Sequence, residues 1–197
     1  MSRRHATWLV VIVALAAGCS ATAQVTDEPT RNATLSLPGY EQTDGVSSVE
    51  TRVFWDRSKT WENPGNRSVR VTSHTYTYRN SSGTDSVVVY TTPKKRYVGS
   101  DRLRSLPASD LADLATRSAD VRPPGNDSGP SYRTSLLGTD VTVQTITHDV
   151  NDTTDYVAHA ARDDAIVVVV VIGEADQSTV ERVLGGVTLY AGPGRDE

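Results

Sequence analysis

Residues 165–172 read AIVVVVVI, eight apolar residues without a polar interruption. A strand with one wet face alternates apolar and polar side chains, and this run has nothing to offer water on either side. Eight residues are also too few to cross a bilayer. The run predicts a central strand covered on both faces by helices or other layers. A chain of 197 residues is long enough to supply those layers around a single core.

The neighbouring segments alternate as half-buried strands do. Patterns run from Val46 to Arg57 and from Arg67 to Arg79, joined across the turn signal Glu62-Asn63-Pro64-Gly65-Asn66. In the second segment Val69, Val71, Ser73, Thr75 and Thr77 share one face, and Arg70, Thr72, His74, Tyr76 and Tyr78 share the other. A third strand spans Asp85 to Thr92 and ends at Pro93. Further on, Tyr132–Leu137 and Val141–Thr147 flank a tight turn at Gly138-Thr139-Asp140, and Asp155–Ala161 leads through Arg162-Asp163-Asp164 into the apolar run.

Two helices are marked by caps. Ser109-Asp110 precedes Leu111, Leu114 and Ala115, and Asp176-Gln177-Ser178 precedes Val180, Val183 and Leu184 before Gly185-Gly186. Residues 31–40 suit a short helix or a loop closing at Pro38-Gly39, residues 94–108 are irregular, and Gly125–Pro130 reads as a loop. Val187–Tyr190 suits a last strand or a segment packed on the sheet. Long crossover connections are mostly absent. The expected fold is α+β: a mostly antiparallel sheet of about six to eight strands, with two or three short helices packed on it, over residues 31–190.

The amino terminus carries an address. Ser2-Arg3-Arg4-His5 is basic, and the apolar run Trp8–Ala17 would rise only roughly 15 Å as a helix, half of a bilayer core. Residues 1–18 are read as a signal peptide, with cleavage between Gly18 and Cys19 after the small residues Ala16, Ala17 and Gly18. Leu15-Ala16-Ala17-Gly18-Cys19 resembles a lipobox, with Ala in place of Leu three positions before the cysteine. Cys19 is the only cysteine, so no intramolecular disulfide can form, and it is the expected lipidation site. Two acyl or ether chains there suffice for stable anchoring. Arg3-Arg4 also fits a twin-arginine signal, although Ala6 and Thr7 stand where apolar residues usually follow; Tat and Sec export both remain open. Residues 19–30 read as a lipid-anchored flexible tether and 191–197 as a disordered tail.

Five of the six asparagines lie in Asn-X-Ser/Thr sequons: Asn32, Asn66, Asn80, Asn126 and Asn151. Each falls where a loop is expected, which makes all five candidate N-glycosylation sites on an external protein. Turn-rich stretches also gather Asn, Ser and Thr for conformational reasons. With Arg3 and Arg4 removed, 18 basic residues face 24 acidic ones, a net charge of −6. That balance argues against nucleic-acid binding. Three Lys against 17 Arg, and 17 Asp against 7 Glu, suit a salt-loving archaeon or simply a GC-rich genome.

Taken with the lipobox, several blocks resemble a family of small halobacterial lipoproteins whose domain has no assigned function. They are Pro38-Gly39-Tyr40-Glu41, the Arg70–Tyr78 strand, Leu136–Val143, and the closing Arg162-Asp163-Asp164 turn with its valine strand and helix. The longer, sequon-bearing hairpin at Asn63–Arg67 departs from that pattern. The resemblance implies a lipid-anchored α+β surface domain and no catalytic residue.

The residues themselves mark no catalytic or metal centre. His74, His148 and His159 remain beyond the leader, and a register that turns near Asn151 sets His159 opposite Val143, away from His148. His148-Asp149 offers a cation two ligands, but such a pair at a turn is more often solvated, and Asp163-Asp164 and Asp149 with Asn151-Asp152 lack calcium-loop spacing and read as turns. Gly185-Gly186 follows a helix instead of opening one, so it is not a phosphate loop. Tyr76, Tyr78 and Tyr90 suit either an exposed aromatic face for a sugar or peptide, or core-edge packing with hydroxyls in water. No cofactor is expected. The leading expectation is a non-enzymatic surface module on the extracellular side of the cell membrane, binding an envelope protein or polysaccharide. An accessory subunit of a transporter or envelope complex, and a hydrolase using His74 or His148 with a nearby serine, are the alternatives.

Overall fold

A computed structural model describes residues 26–27, 31–43, 47–54, 68–94, 96–97, 100–101, 107–119, 121, 127–147 and 154–191. The strands are β1 (Thr26–Asp27), β2 (Arg31–Leu35), β3 (Tyr40–Gln42), β4 (Ser47–Phe54), β5 (Ser68–Asn80) and β6 (Ser86–Pro93). After the short β7 (Arg96–Tyr97) and β8 (Ser100–Asp101) comes helix α1 (Ala108–Ser118). Then follow β9 (Asp127–Leu136), β10 (Thr139–Thr147), β11 (Thr154–Arg162), β12 (Ala165–Ile172), helix α2 (Gln177–Gly185) and β13 (Val187–Ala191).

The main sheet runs β1-β5-β6-β12-β11-β10-β9, with β3 and β4 also paired to β5, nine strands in all among the described residues. Apart from the parallel β1–β5 contact, every pair in it is antiparallel. The sheet-dominated, antiparallel α+β class expected from the sequence is therefore present, with two helices. β12 lies mid-sheet between β6 and β11, and all eight of its residues are buried. Alternate valines face two separate cores. Val167, Val169 and Val171 pack with Val87, Val89, Leu136 and Val143 under α2, through Val180, Val183 and Leu184. Ile166, Val168 and Val170 pack with Val88, Tyr90, Val157 and Ile146 under α1, through Leu111, Ala112 and Ala115. Each fully buried Val or Leu contributes about 1.5–3 kcal/mol. The wholly apolar run thus requires both helices.

Several local expectations are corrected. Residues 31–35 are the strand β2, not a helix or loop, and they pair with β13 in a second, two-stranded sheet. Asp127–Pro130, expected in a loop, opens β9, where an edge position tolerates Pro130. The tight turn sits at Leu137 and Gly138, both with positive φ, one or two residues earlier than expected. Residues 94–108 are not wholly irregular, since they include β7 and β8. β1 takes Thr26 and Asp27 out of the expected 19–30 tether.

Helix α1 starts behind Pro107, without a side-chain cap from Ser109 or Asp110. In α2 Asp176 caps as expected, accepting the Thr179 amide at 2.8 Å. The helix stops at Gly186 in right-handed conformation (φ −84°). Glycine relieves crowding there, because a Cβ would meet the Ser36 carbonyl at 3.0 Å and Leu35 Cδ1 at 3.1 Å and push these neighbours aside. Gln144 lies opposite Val157, one residue away from the expected Val143–His159 register. A one-residue slip exchanges faces, and it places His159 on the α1 side with Val157.

Leu111→Ala and Leu184→Ala should each lower unfolding stability by about 2–5 kcal/mol in urea titrations. Because they empty opposite sides of β12, the double variant should be additive within about 0.5 kcal/mol. Strong coupling would mean that the two cores are one.

Candidate functional site

β2 stands on the α2 face of the sheet in an unusual way. The Ala33 amide donates to Thr91 Oγ1 at 3.1 Å, and the Leu35 amide donates to the Tyr78 hydroxyl at 3.1 Å. The edge of β2 turned away from β13 is therefore met by side chains of β6 and β5 instead of by another strand. This stands β2 beside the sheet surface and leaves a cleft next to it.

Leu37-Pro38-Gly39-Tyr40 closes that cleft at one end. The Tyr40 amide returns to the Leu37 carbonyl at 3.2 Å, and Gly39 has φ +85°, the geometry of a Pro-Gly type II turn. The Ser81 amide ties the turn to β5–β6 by donating to the Gly39 carbonyl at 2.9 Å. The result is an open groove of about 570 Å³ lined by residues 34–38 with Tyr40, Gln42 and Tyr78. Among the described residues no acidic or basic side chain lines it.

Asp85 fixes the far end. It is 7% exposed, and its Oδ2 accepts from Asn80 Nδ2 at 2.9 Å and, at a long 3.5 Å, from the Tyr40 hydroxyl. Oδ1 accepts from the Glu174 amide at 3.0 Å. One carboxylate thus joins the β5–β6 turn, the end of β12 and the groove. Gly173 (φ +133°) lies against it, and a Cβ there would collide with the Thr84 carbonyl. Burial, followed by the nearby Asp85 charge, raises the Tyr40 pKa.

The tyrosines expected at a core edge with wet hydroxyls are instead bonded inside. Tyr76, Tyr78 and Tyr90 are 5%, 4% and 1% exposed. The Tyr90 hydroxyl donates to Ser73 Oγ at 2.8 Å, and Ser73 donates to Thr92 Oγ1 at 3.0 Å. The Tyr76 and Tyr190 hydroxyls share a hydrogen bond at 2.5 Å. Among the described residues, Tyr190 is the large hydrophobic side chain left exposed, so a broad aromatic face is not formed by Tyr76, Tyr78 and Tyr90.

Of the anticipated site residues, Gly18, Cys19, Asn66, Asn126, Asn151 and His148 lie outside the described residues. Asn32 does not sit on a loop: it is in β2, 3% exposed, and its Oδ1 has no hydrogen-bond partner. Asn80 ends β5, and its Nδ2 donates both to Asp85 and to Thr84 Oγ1 at 3.1 Å. His74 is 7% exposed and lies opposite Ser48 and Thr91 in register. Neither His74 nor His159 lines the groove. Among the described residues no three His, Cys, Asp or Glu side chains gather as metal ligands. The sequence pointed to Tyr78 but not to the groove. Pro38-Gly39 was the available signal for its closing turn.

Burial, reinforced by Glu181 and then Tyr156, pushes the Tyr132 hydroxyl up to about 12. A raised folded-state pKa means that the folded protein keeps a proton the unfolded chain has lost. This contribution to stability is complete below the ordinary value of 10.0 and is lost as pH rises toward about 12. Stability should therefore fall over that interval in alkaline denaturation. Tyr132→Phe, which removes a buried hydroxyl without a partner, should shallow the fall at no cost near neutral pH. An unchanged alkaline slope would contradict the assignment.

Comparison with family models, curated proteins and solved structures finds no match for this chain.

Proposed function

We propose that the chain is an exported lipoprotein whose domain acts as a non-enzymatic binding module at the outer face of the cell membrane, with the β2–β3–β5 groove as its binding site. The observation that carries the address is Leu15-Ala16-Ala17-Gly18-Cys19 at the end of a short apolar run. β1 adds a geometric consequence. Thr26 lies seven residues after Cys19, so even a fully extended link spans at most about 25 Å. The lipid would hold the domain close to the bilayer, not at the end of a long tether. Among the described residues no helix is long and apolar enough to cross a membrane.

Membership in the halobacterial lipoprotein family belongs to the same proposal, supported by the sequence blocks that resemble it. N-glycosylation is proposed for Asn66, Asn126 and Asn151. A glycan on Asn32 would have to enter the buried side of β2, and one on Asn80 would displace a hydrogen bond to Thr84 or Asp85. The hydrolase alternative draws no support from the groove, which no histidine lines among the described residues.

In the native host, Cys19→Ser should move the protein from the detergent phase to the aqueous phase or leave it uncleaved. Mass spectrometry of the wild-type amino terminus should find a lipid-modified Cys19 as the first residue. Unchanged detergent partitioning of the variant, or a mature chain retaining Met1, would contradict lipidation.

A further inference from the structure

The charges are not spread evenly along the chain. From the start of β4 to residue 104, 11 basic residues stand against 5 acidic ones, and the rest of the chain after Cys19 has 7 basic against 19 acidic. One stretch therefore carries an excess of six positive charges, and the remainder an excess of twelve negative ones. The overall balance of −6 hides this division.

The fold gathers part of the basic stretch beside the entry of the chain. Arg52 of β4 and Arg70 of β5 are direct register partners, and Thr26 of β1 takes the opposite edge of β5 at the same Arg70. β1 is parallel to β5, so its first residue lies toward the Ser68 end of that strand, where Phe54 closes β4. β6 is antiparallel to β5 and runs toward the same end; Lys94 follows it and Arg96 opens β7. Asp27, Glu50 and Asp101, the register partner of Arg96, stand among these positions. The sign of this end therefore comes from the whole stretch and not from one pair.

Cys19 is seven residues before Thr26, so a lipid there holds this end within about 25 Å of the bilayer. Headgroups respond to the summed charge within a Debye length, about 8 Å at physiological ionic strength. An anionic surface attracts the basic end and repels the acidic remainder, and both forces turn the domain the same way. We infer that the Ser68 end of β4 and β5, with the start of β7, is a docking surface for anionic lipid headgroups of the bilayer that holds the anchor. This inference rests on the proposed lipid at Cys19 and adds an orientation to it. Tyr78 lies roughly 33 Å farther along β5, so the groove it lines is carried on the side away from the membrane.

The test separates surface from anchor by using residues 19–197 with Cys19→Ser, the mature chain without its lipid. Co-sedimentation compares vesicles of phosphatidylcholine with vesicles that also contain phosphatidylglycerol. The anionic vesicles should bind at least about tenfold more strongly, and the difference should shrink as salt rises. Arg52→Gln with Arg70→Gln should weaken binding to them about tenfold, while Arg117→Gln with Arg133→Gln, an equal loss of charge at exposed positions in the acidic remainder, should leave it unchanged. Lys94→Gln with Arg96→Gln gives a second reading if the first pair disturbs the fold, and an unshifted thermal transition qualifies each variant. Equal binding to both kinds of vesicle, equal losses from the basic-end and control pairs, or tighter binding to soluble polyglutamate than to the anionic vesicles would each overturn the surface. Because this protein carries no lipid, a failed anchor shows in the mass of the native amino terminus and a failed surface shows here.

Discussion

The fold depends on the two-sided burial of β12. A strand without a polar side chain must be shielded above and below, and a helix supplies much of each shield. Its eight residues are at most 7% exposed, although the chain as a whole is only 37% apolar. The apolar residues are concentrated where they decide the architecture, in β12, in the middle of β6 and along the inward stripes of α1 and α2. Strands farther from this centre have room for Ser, Thr and Arg.

The α2 face is only partly a helix layer. Beside α2 stands the β2–β13 pair, whose lower edge ends on side-chain hydroxyls instead of a neighbouring strand. This solves the edge-strand problem in a way that also creates a groove, because a strand propped on Thr91 and Tyr78 cannot lie flat against the sheet. The Pro38-Gly39 turn and the Asp85 carboxylate hold the end of the groove in place. Groove and fold are therefore one construction, and the polar residues there are used for shape before they are available to a ligand.

Much of the sheet was legible because alternation reports which face a residue joins. The Arg70–Tyr78 segment, the β4–β5 hairpin and the capped α2 all follow directly from local pattern. β2 was not legible, since RNATL is short and lacks clean alternation. Its amides are satisfied by residues 58 and 43 positions away, which no local window contains. The same long-range contacts turned Asn32 from a loop sequon into a buried side chain. The β10–β11 register slipped because its connection is centred half a residue earlier than the sequon at Asn151 suggested. The tyrosine hydroxyls were misplaced in water for a related reason: their partners Ser73, Leu35 and Tyr190 come from other strands or from other positions in the sheet.

Native-state hydrogen exchange tests this architecture most directly. Amides of Val167–Val171 should exchange only through global unfolding, and Ala33 and Leu35 should be protected although no strand pairs with them on that edge. Rapid exchange at Ala33 and Leu35, or exchange in β12 no slower than in the edge strand β9, would contradict both the central strand and the hydroxyl-supported β2 on which the groove is built.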